Sequence, residues 1–146
     1  MSWPFHGCRV YNNANLSRNN ADFATLLTFN TERYDTDAYH DTSSNTGRIT
    51  IPTGLGGYYR VGAHVEWASN ATGIRYLYLT INGTVIATDT RMAVNGETTR
   101  VSISTEINAS ATNYFEVLAV QTSTAALNVL STNAYSPEFF ASLIGV

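Results

Sequence analysis

Three carboxylates in one short segment are the clearest candidates for metal chemistry in this sequence. Asp35, Asp37 and Asp41 fall within the run Tyr-Asp-Thr-Asp-Ala-Tyr-His-Asp that begins at Tyr34, and Ca²⁺ binds several oxygen ligands at about 2.3–2.6 Å. The run lacks the glycine and the bidentate glutamate of an EF-hand loop. We therefore predict that the three carboxylates cap turns in a solvated loop and that no cofactor is bound, with a calcium site as the alternative.

The histidines and the single cysteine are the other residues that could ligate a metal or form a catalytic dyad. They are His6, His40, His64 and Cys8. His64 lies on the more polar face of an alternating segment, which is typical of a surface or interface histidine. A hydrolase needs a nucleophile beside a base and an orienting acid, and the sequence contains no Gly-x-Ser-x-Gly, His-Glu-x-x-His or glycine-rich phosphate motif. We predict no catalytic residues and no enzyme activity.

Composition excludes several classes of partner. Only 13% of the 146 residues are charged, and the net charge is −3, so no basic field would collect the phosphates of a nucleic acid. All eight basic residues are arginines, which excludes lysine chemistry. No apolar run approaches the roughly 18 residues that cross a bilayer, and the first residues do not resemble a signal peptide. We expect no membrane partner, synthesis in a host cytoplasm, and one domain with its own core.

The elements that must position these residues are strands. Apolar residues alternate over 58–67 and 74–81, which is the period of a strand with two different faces. Asn82-Gly83 is a strong signal for a two-residue hairpin, because both central positions of a type I′ turn need a positive φ. Residues 30–47 collect turn formers and acids and are predicted as a long loop. The predicted strands cover residues 8–11, 23–29, 48–51, 58–67, 74–81, 84–90, 101–107, 114–121, 127–130 and 139–146.

Strands at this spacing predict an all-β sandwich or jelly roll. A two-sheet sandwich buries one face of each strand, yet 114–120 and 139–146 have apolar residues on both faces. Exposed apolar patches of more than a few hundred Å² are uncommon on monomers. We therefore predict an oligomer of identical subunits that covers the second face.

The order of several motifs resembles the superfamily of tumour necrosis factor (TNF) and the complement globular heads. The motifs are Phe23-Ala-Thr-Leu-Leu-Thr-Phe29-Asn30, Tyr34-Asp35, Thr46-Gly47-Arg48-Ile49-Thr50-Ile51-Pro52, Gly56-Gly57-Tyr58-Tyr59, Leu79-Thr-Ile-Asn82-Gly83 and Phe139-Phe140-Ala-Ser-Leu143-Ile-Gly. The resemblance implies a jelly-roll β-sandwich of about ten antiparallel strands and a tight homotrimer. The predicted interface residues are Tyr58, Tyr114, Leu118, Val120, Phe140 and Ile144. Residues 32–37 and 135–139 look like versions encoded by bacteriophages and bacteria.

We predict an N-terminal arm over residues 1–20, with a first short strand, and a TNF-like jelly-roll domain over residues 21–146. Trp3 and Phe5 are the predicted partner-binding residues of the arm. The predicted function is a non-enzymatic structural protein of a bacteriophage virion, a trimeric decoration or cement protein that binds the major capsid protein. One alternative is the receptor- or glycan-binding head of a phage tail fibre, with Tyr34 and Tyr39 on the predicted loop as sugar-stacking candidates. Another is a secreted bacterial adhesive module.

Overall fold

Two antiparallel sheets account for the regular structure of residues 4–146, which are the residues described by the computed structural model. The strands are β1 Gly7–Tyr11, β2 Leu16–Arg18, β3 Thr31–Asp35, β4 Ile49–Thr50, β5 Gly57–Trp67, β6 Ile74–Ile81, β7 Thr84–Met92, β8 Thr99–Ala109, β9 Tyr114–Gln121, β10 Leu127–Val129 and β11 Glu138–Gly145. Within residues 4–146 there is no helix. The prediction of an all-β chain is therefore confirmed.

The larger sheet, sheet A, is built around β5 and β11. β11 pairs with β5 on one side and with β1 on the other, β3 follows β1, and β8 lies along the whole of β5. β10 and β2 extend the sheet from the end of β5. The smaller sheet, sheet B, has the order β4-β9-β6-β7. Between β3 and β10 the chain passes repeatedly from one sheet to the other, as it does in a jelly roll and not in a meander.

The core lies between the two sheets and follows from the alternation of each strand. Successive side chains of a strand point to opposite faces, and in β5 the residues from Tyr59 to Trp67 at every second position are buried. From β9, Phe115, Val117 and Ala119 face them and are likewise buried. The opposite faces of β5 and β9 are therefore the outer faces of sheets A and B.

The predicted hairpin is confirmed. Asn82 has φ 48° and Gly83 has φ 81°, as a type I′ turn requires, and β6 and β7 pair on either side of it. β6 and β9 also have the bounds that the sequence predicts.

The prediction of a strand over residues 23–29 is wrong, although two of its apolar residues are buried. Leu27 and Phe29 lie in the core, but their amides donate to Val117 O at 3.0 Å and Thr46 O at 3.0 Å, which belong to different parts of the chain. No ladder forms, because this extended segment has no single neighbour along its length.

The prediction of one loop over residues 30–47 is also wrong in part, since β3 occupies Thr31–Asp35. The polar sequence of β3 fits an edge strand.

Residues assigned to the N-terminal arm supply two strands of sheet A. β1 lies between β11 and β3, and its Cys8 and Val10 are fully buried, while β2 pairs with β10. Phe5 precedes β1, is 54% exposed, and meets the Tyr34 ring edge-on at 5.7 Å between centroids. Trp3 lies outside the described residues. Any segment that reaches another subunit can therefore include only the residues before β1.

Candidate binding surface on the outer face of sheet A

The six predicted interface residues lie on two opposite faces of the sandwich. On sheet A, Tyr58, Phe140 and Ile144 occupy the outward positions of β5 and β11. On sheet B, Tyr114, Leu118 and Val120 occupy the outward positions of β9, because the alternate residues of that strand point into the core. The structure therefore does not bring the six residues into one surface.

The outer face of sheet B is partly covered by the chain itself. Tyr76 and Tyr78 of β6 are stacked with 6.0 Å between ring centroids, and Phe23 lies against both rings at 6.1 and 6.4 Å. Val120 pairs with Tyr76 in register and is 1% exposed. The prediction that Val120 contacts another subunit therefore conflicts with its burial within one chain, since the aromatic side chains around it already exclude solvent.

The outer face of sheet A has no such cover in the described part of the chain. Tyr58 is 52% exposed and Ile144 is 45% exposed. At the centre of the face, the Phe140 ring lies over Gly62, where an added Cβ would come within 2.7 Å of the ring. The glycine thus allows the aromatic ring to lie flat against the sheet, and the result is a shallow apolar surface bordered by serines of β8.

His64 lies beside this aromatic surface, where β5 pairs with Glu138 of β11. Burial lowers the pKa of His64 below its ordinary value, and the nearby Arg9 guanidinium lowers it further. The imidazole is therefore neutral at neutral pH and can both donate and accept a hydrogen bond. Sequence alternation predicted a surface or interface histidine, and the structure places His64 on the candidate surface.

A buried carboxylate organises one end of the same face. Glu138 is fully buried, and its Oε1 accepts hydrogen bonds from Arg9 Nε at 2.7 Å and Arg33 Nε at 2.6 Å. Arg33 Nη2 also donates to Glu138 Oε2 at 3.3 Å, and this pairing raises the pKa of Arg33. Two guanidinium groups thus share one carboxylate, and the group of three has a net charge of +1.

The Arg33 guanidinium also lies against two aromatic rings. Its central carbon is 4.3 Å from the centre of the Tyr11 ring and 3.9 Å from that of Tyr135, which is within the range of cation–π attraction. We use the name arginine cluster for Arg9, Arg33 and Glu138 with the rings of Tyr11 and Tyr135. A polar pocket opens beside it, lined by Tyr11, Asn13, Arg33, Ser131, Thr132, Asn133 and Tyr135.

Sequence reasoning missed the arginine cluster because its members are far apart in the chain. Only one signal was present, an acidic residue, Glu138, immediately before an almost wholly apolar terminal strand. Such a residue must find a buried partner or remain at the end of the sheet. The partners come from β1 and β3, and the sequence did not predict β3.

The three loop carboxylates have structural roles in the part of the chain that the structure describes. Asp35 accepts hydrogen bonds from the amides of Tyr39 and His40, and Asp41 accepts one from Ser43, which lowers the pKa of Asp41. Asp37 accepts hydrogen bonds from Thr36 and His6, and both lower the pKa of Asp37. Within residues 4–146, the structure forms no group of three or more histidine, cysteine, aspartate or glutamate residues able to hold a metal ion.

The remaining candidates are also separated. The ring nitrogens of His40 lie 3.2 Å from Glu32 Oε1 and 2.9 Å from Thr46 O, so this histidine joins β3 to the following loop. Burial raises the pKa of the Cys8 thiol well above its ordinary value. Tyr39 is buried, and its hydroxyl lies 3.0 Å from that of Tyr59 in the core. Tyr39 is therefore a core residue, whereas Tyr34 remains on the exposed edge strand.

No helix in the described residues is long and apolar enough to span a membrane.

Comparison with known proteins identifies the fold. No family model and no curated protein sequence matches the chain, whereas solved structures match over nearly its full length. The globular domain of zebrafish complement 1qA protein has a TM-score of 0.67 and 14% identity, over 95% of this chain and 97% of that one. The chain has a TNF-like jelly-roll fold.

Two other structures support this assignment. Eiger TNF from S. frugiperda matches with a TM-score of 0.67 and 10% identity, over 96% of this chain and 92% of the other. Murine APRIL matches with a TM-score of 0.69 and 8% identity, over 97% and 100%. At these identities the likeness concerns the fold, and function has to be argued from the surface. The fold class that the motif order implied is confirmed.

Proposed function

We propose that this TNF-like protein is a non-enzymatic structural subunit that assembles as a homotrimer through the outer face of sheet A. The observation that supports this most is the pair of exposed apolar side chains, Tyr58 and Ile144, on a face whose centre is already apolar. Burying such side chains removes apolar area from water and stabilises association by about 25 cal/mol per Å² before the costs of assembly. The motif resemblance to the TNF superfamily implies threefold symmetry.

The charge pattern of the face is compatible with close packing of identical copies. Arg60 and Glu106 already neutralise each other through a bond of 2.6 Å between Nη2 and Oε1, and His64 is neutral near pH 7. Arg100 likewise pairs with Glu66 at 3.4 Å on this face, so its charges outside the arginine cluster already have partners within one chain. The outer face of sheet B differs in another way, because Phe23 already covers part of it.

The trimer is tested by placing a charge on the proposed interface. We expect the wild type to sediment at micromolar concentration with about three times the 15.9 kDa mass of one chain. Tyr58→Asp and Ile144→Asp should each shift the particle to the mass of a single chain, because a carboxylate would be buried against apolar neighbours. Both side chains are about half exposed in one chain, so the fold itself should persist, as circular dichroism will show.

Phe23→Asp is the matched control, since Phe23 is 54% exposed but lies on the outer face of sheet B. It should leave the sedimenting mass unchanged. A monomeric wild type, or a trimer that only the Phe23 variant disrupts, would contradict assembly through sheet A.

We further propose that the trimer decorates or cements the capsid of a bacteriophage. The segments 32–37 and 135–139 support this, because they resemble versions of the fold encoded by bacteriophages and bacteria, and together they contain Arg33, Tyr135 and Glu138 of the arginine cluster. The sequence contains none of the hydrolase or phosphate-binding motifs considered above, and we therefore propose a role without catalysis. In this proposal the residues before β1, including Phe5, reach the neighbouring capsid subunit.

The capsid proposal is tested by mixing the purified trimer with undecorated, expanded capsids and, separately, with host cells. We expect the protein to sediment with the capsids and to raise the temperature at which they rupture, because a ligand that binds the assembled shell stabilises it. Phe5→Ser should weaken capsid binding without changing the mass of the trimer. Sedimentation with cells alone would contradict a decoration role.

A second function, recognition of a host glycan by the head of a tail fibre, has its own supporting observation. The pocket beside Arg33 combines a cation, aromatic rings and amide groups, which is the composition of many polar ligand sites. Tyr34 and the exposed side of β3 lie next to it in the sheet.

A further inference from the structure

The pocket beside the arginine cluster opens at one end of the sheet face that forms the proposed subunit contact. It is lined by the end of β1 and by the loop that precedes β11, next to Glu138. Ile144 lies at the other end of β11, six residues further along a strand that rises about 3.4 Å per residue. About 20 Å of sheet therefore separates the pocket from Tyr58 and Ile144, and the two regions can be altered independently.

Arg33 presents unused hydrogen-bond donors to this pocket. One edge of its guanidinium, formed by Nε and Nη2, donates to Glu138, and its central carbon lies within 4.3 Å of the centres of the Tyr11 and Tyr135 rings. In residues 4–146, no protein acceptor is bonded to Nη1. Since Glu138 also accepts a bond from Arg9, its single negative charge cannot neutralise both arginines. An anion in the pocket would complete the charge balance.

The other groups around the pocket suit a ligand with many hydroxyls. Asn13 and Asn133 carry amides, and Ser131 and Thr132 carry hydroxyls. The Tyr135 ring, which is 49% exposed, offers an apolar face with a polar tip. An inorganic anion could accept hydrogen bonds from these groups but would leave the apolar face of the Tyr135 ring unused, and a nucleic acid would need a basic surface that a chain of net charge −3 does not provide.

We propose that this pocket binds an acidic saccharide, with the carboxylate of a uronic or sialic acid paired to Arg33 and the ring hydroxyls bonded to the surrounding amides and hydroxyls. The inference rests on the second proposed function, recognition of a glycan, and is independent of the capsid proposal. It also explains why Arg33 is held so firmly. A guanidinium fixed by a carboxylate and two rings loses little conformational freedom when a ligand binds.

The test is a titration of the ¹⁵N-labelled trimer with five probes, followed through the amide shifts of Asn133 and Tyr135. The probes are methyl glucuronide, the methyl glycoside of N-acetylneuraminic acid, the methyl esters of both, and sodium sulfate. We expect at least one acidic sugar to saturate these shifts and its ester to bind at least about tenfold more weakly, because the ester removes the charge but keeps the shape. Equal binding of acid and ester, stronger binding of sulfate, or no binding of either acid would overturn the proposal.

Substituting Arg33 itself would also break its bond to Glu138, so a rim residue makes a better variant. Asn133 is exposed, and Asn133→Asp would set a carboxylate beside the ligand's own. We expect at least about tenfold weaker binding of the acidic sugar, through like-charge repulsion. Asn95→Asp adds the same charge at the exposed turn between β7 and β8 and should leave the affinity unchanged. Equal affinities of the two variants would contradict a site at Asn133.

Cell binding separates failure of this inference from failure of glycan recognition. If the trimer sediments with host cells and none of the acidic sugars competes, recognition of a receptor stands and the pocket is not its site. If the trimer binds neither cells nor any of the sugars, both fail. In each case the sedimentation of the unliganded trimer tests assembly separately.

Discussion

Replacing Glu138 by glutamine is expected to lower the free energy of unfolding by about 3 kcal/mol. The change keeps the size of the side chain but removes the one negative charge that holds Arg9 and Arg33 together, at bonds of 2.7 and 2.6 Å. Breaking a buried ion pair usually costs about 3–5 kcal/mol, and the lower end applies because both arginines are still about a quarter exposed. Urea denaturation at fixed protein concentration measures the change.

Glu106→Gln, compared with Glu138→Gln in the monomeric Tyr58→Asp background that leaves the outer face of sheet A in solvent, is the matched control. Its carboxylate pairs with Arg60 at 2.6 Å, a distance equal to that of Glu138 to Arg33, but both side chains are more than half exposed. An exposed pair contributes about 0–1 kcal/mol, so this variant should unfold nearly like the Tyr58→Asp protein. If the two substitutions destabilised the protein equally, burial of Glu138 would not be the source of its contribution.

Gly73→Ala is expected to destabilise the protein by about 3 kcal/mol or more. Gly73 has φ 81°, a conformation that costs an L-residue about 1–2 kcal/mol. In addition, an added Cβ would overlap the carbonyl of Thr122. That carbonyl cannot move freely, because Ile74 N donates to Thr122 Oγ1 at 2.9 Å and Thr122 N donates to Ile74 O at 3.1 Å. The start of β6 would have to shift.

Gly96→Ala separates the cost of the positive φ from the cost of the contact between the added Cβ and Thr122. Gly96 has φ 80°, nearly the same as Gly73, but an added Cβ there would meet no atom within 4 Å. We expect a loss of only about 1 kcal/mol, the cost of the backbone conformation alone. Thermal unfolding of the two variants at one concentration gives the comparison, and similar melting temperatures would mean that the contact with Thr122 relaxes easily.

The strands with regular alternation were predictable because their pattern is local. β6 alternates in burial over most of its length, β9 is a continuous run rich in aliphatic and aromatic residues, and Asn82-Gly83 supplies the two positive φ values of the hairpin between β6 and β7. Leu27 and Phe29 show the limit of this reasoning. Their burial follows from their apolar side chains, but whether a buried extended segment forms a ladder depends on its neighbours, which the local sequence does not encode.

The candidate surface was predictable only in part for a related reason. Alternation showed that β9 and β11 each have a second apolar face, but not that those faces belong to opposite sides of the sandwich. The prediction therefore joined Phe140 with Val120, which the structure places on different sheets. The arginine cluster depends on pairings across more than a hundred residues, from Arg9 and Arg33 to Glu138, and a single sequence contains no local trace of such pairings.

Because Cys8 is buried, the rate at which its thiol is modified measures how often the fold opens around it. Cys8 is the only cysteine of the chain, is fully covered, and belongs to a strand with partners on both sides. A thiol reagent should therefore react only when β1 separates from its neighbours, and the reaction rate would report how often that happens. Because Cys8 is buried, a cysteine introduced on the surface would be the one readily modified thiol, and a probe attached to it would report from that position alone.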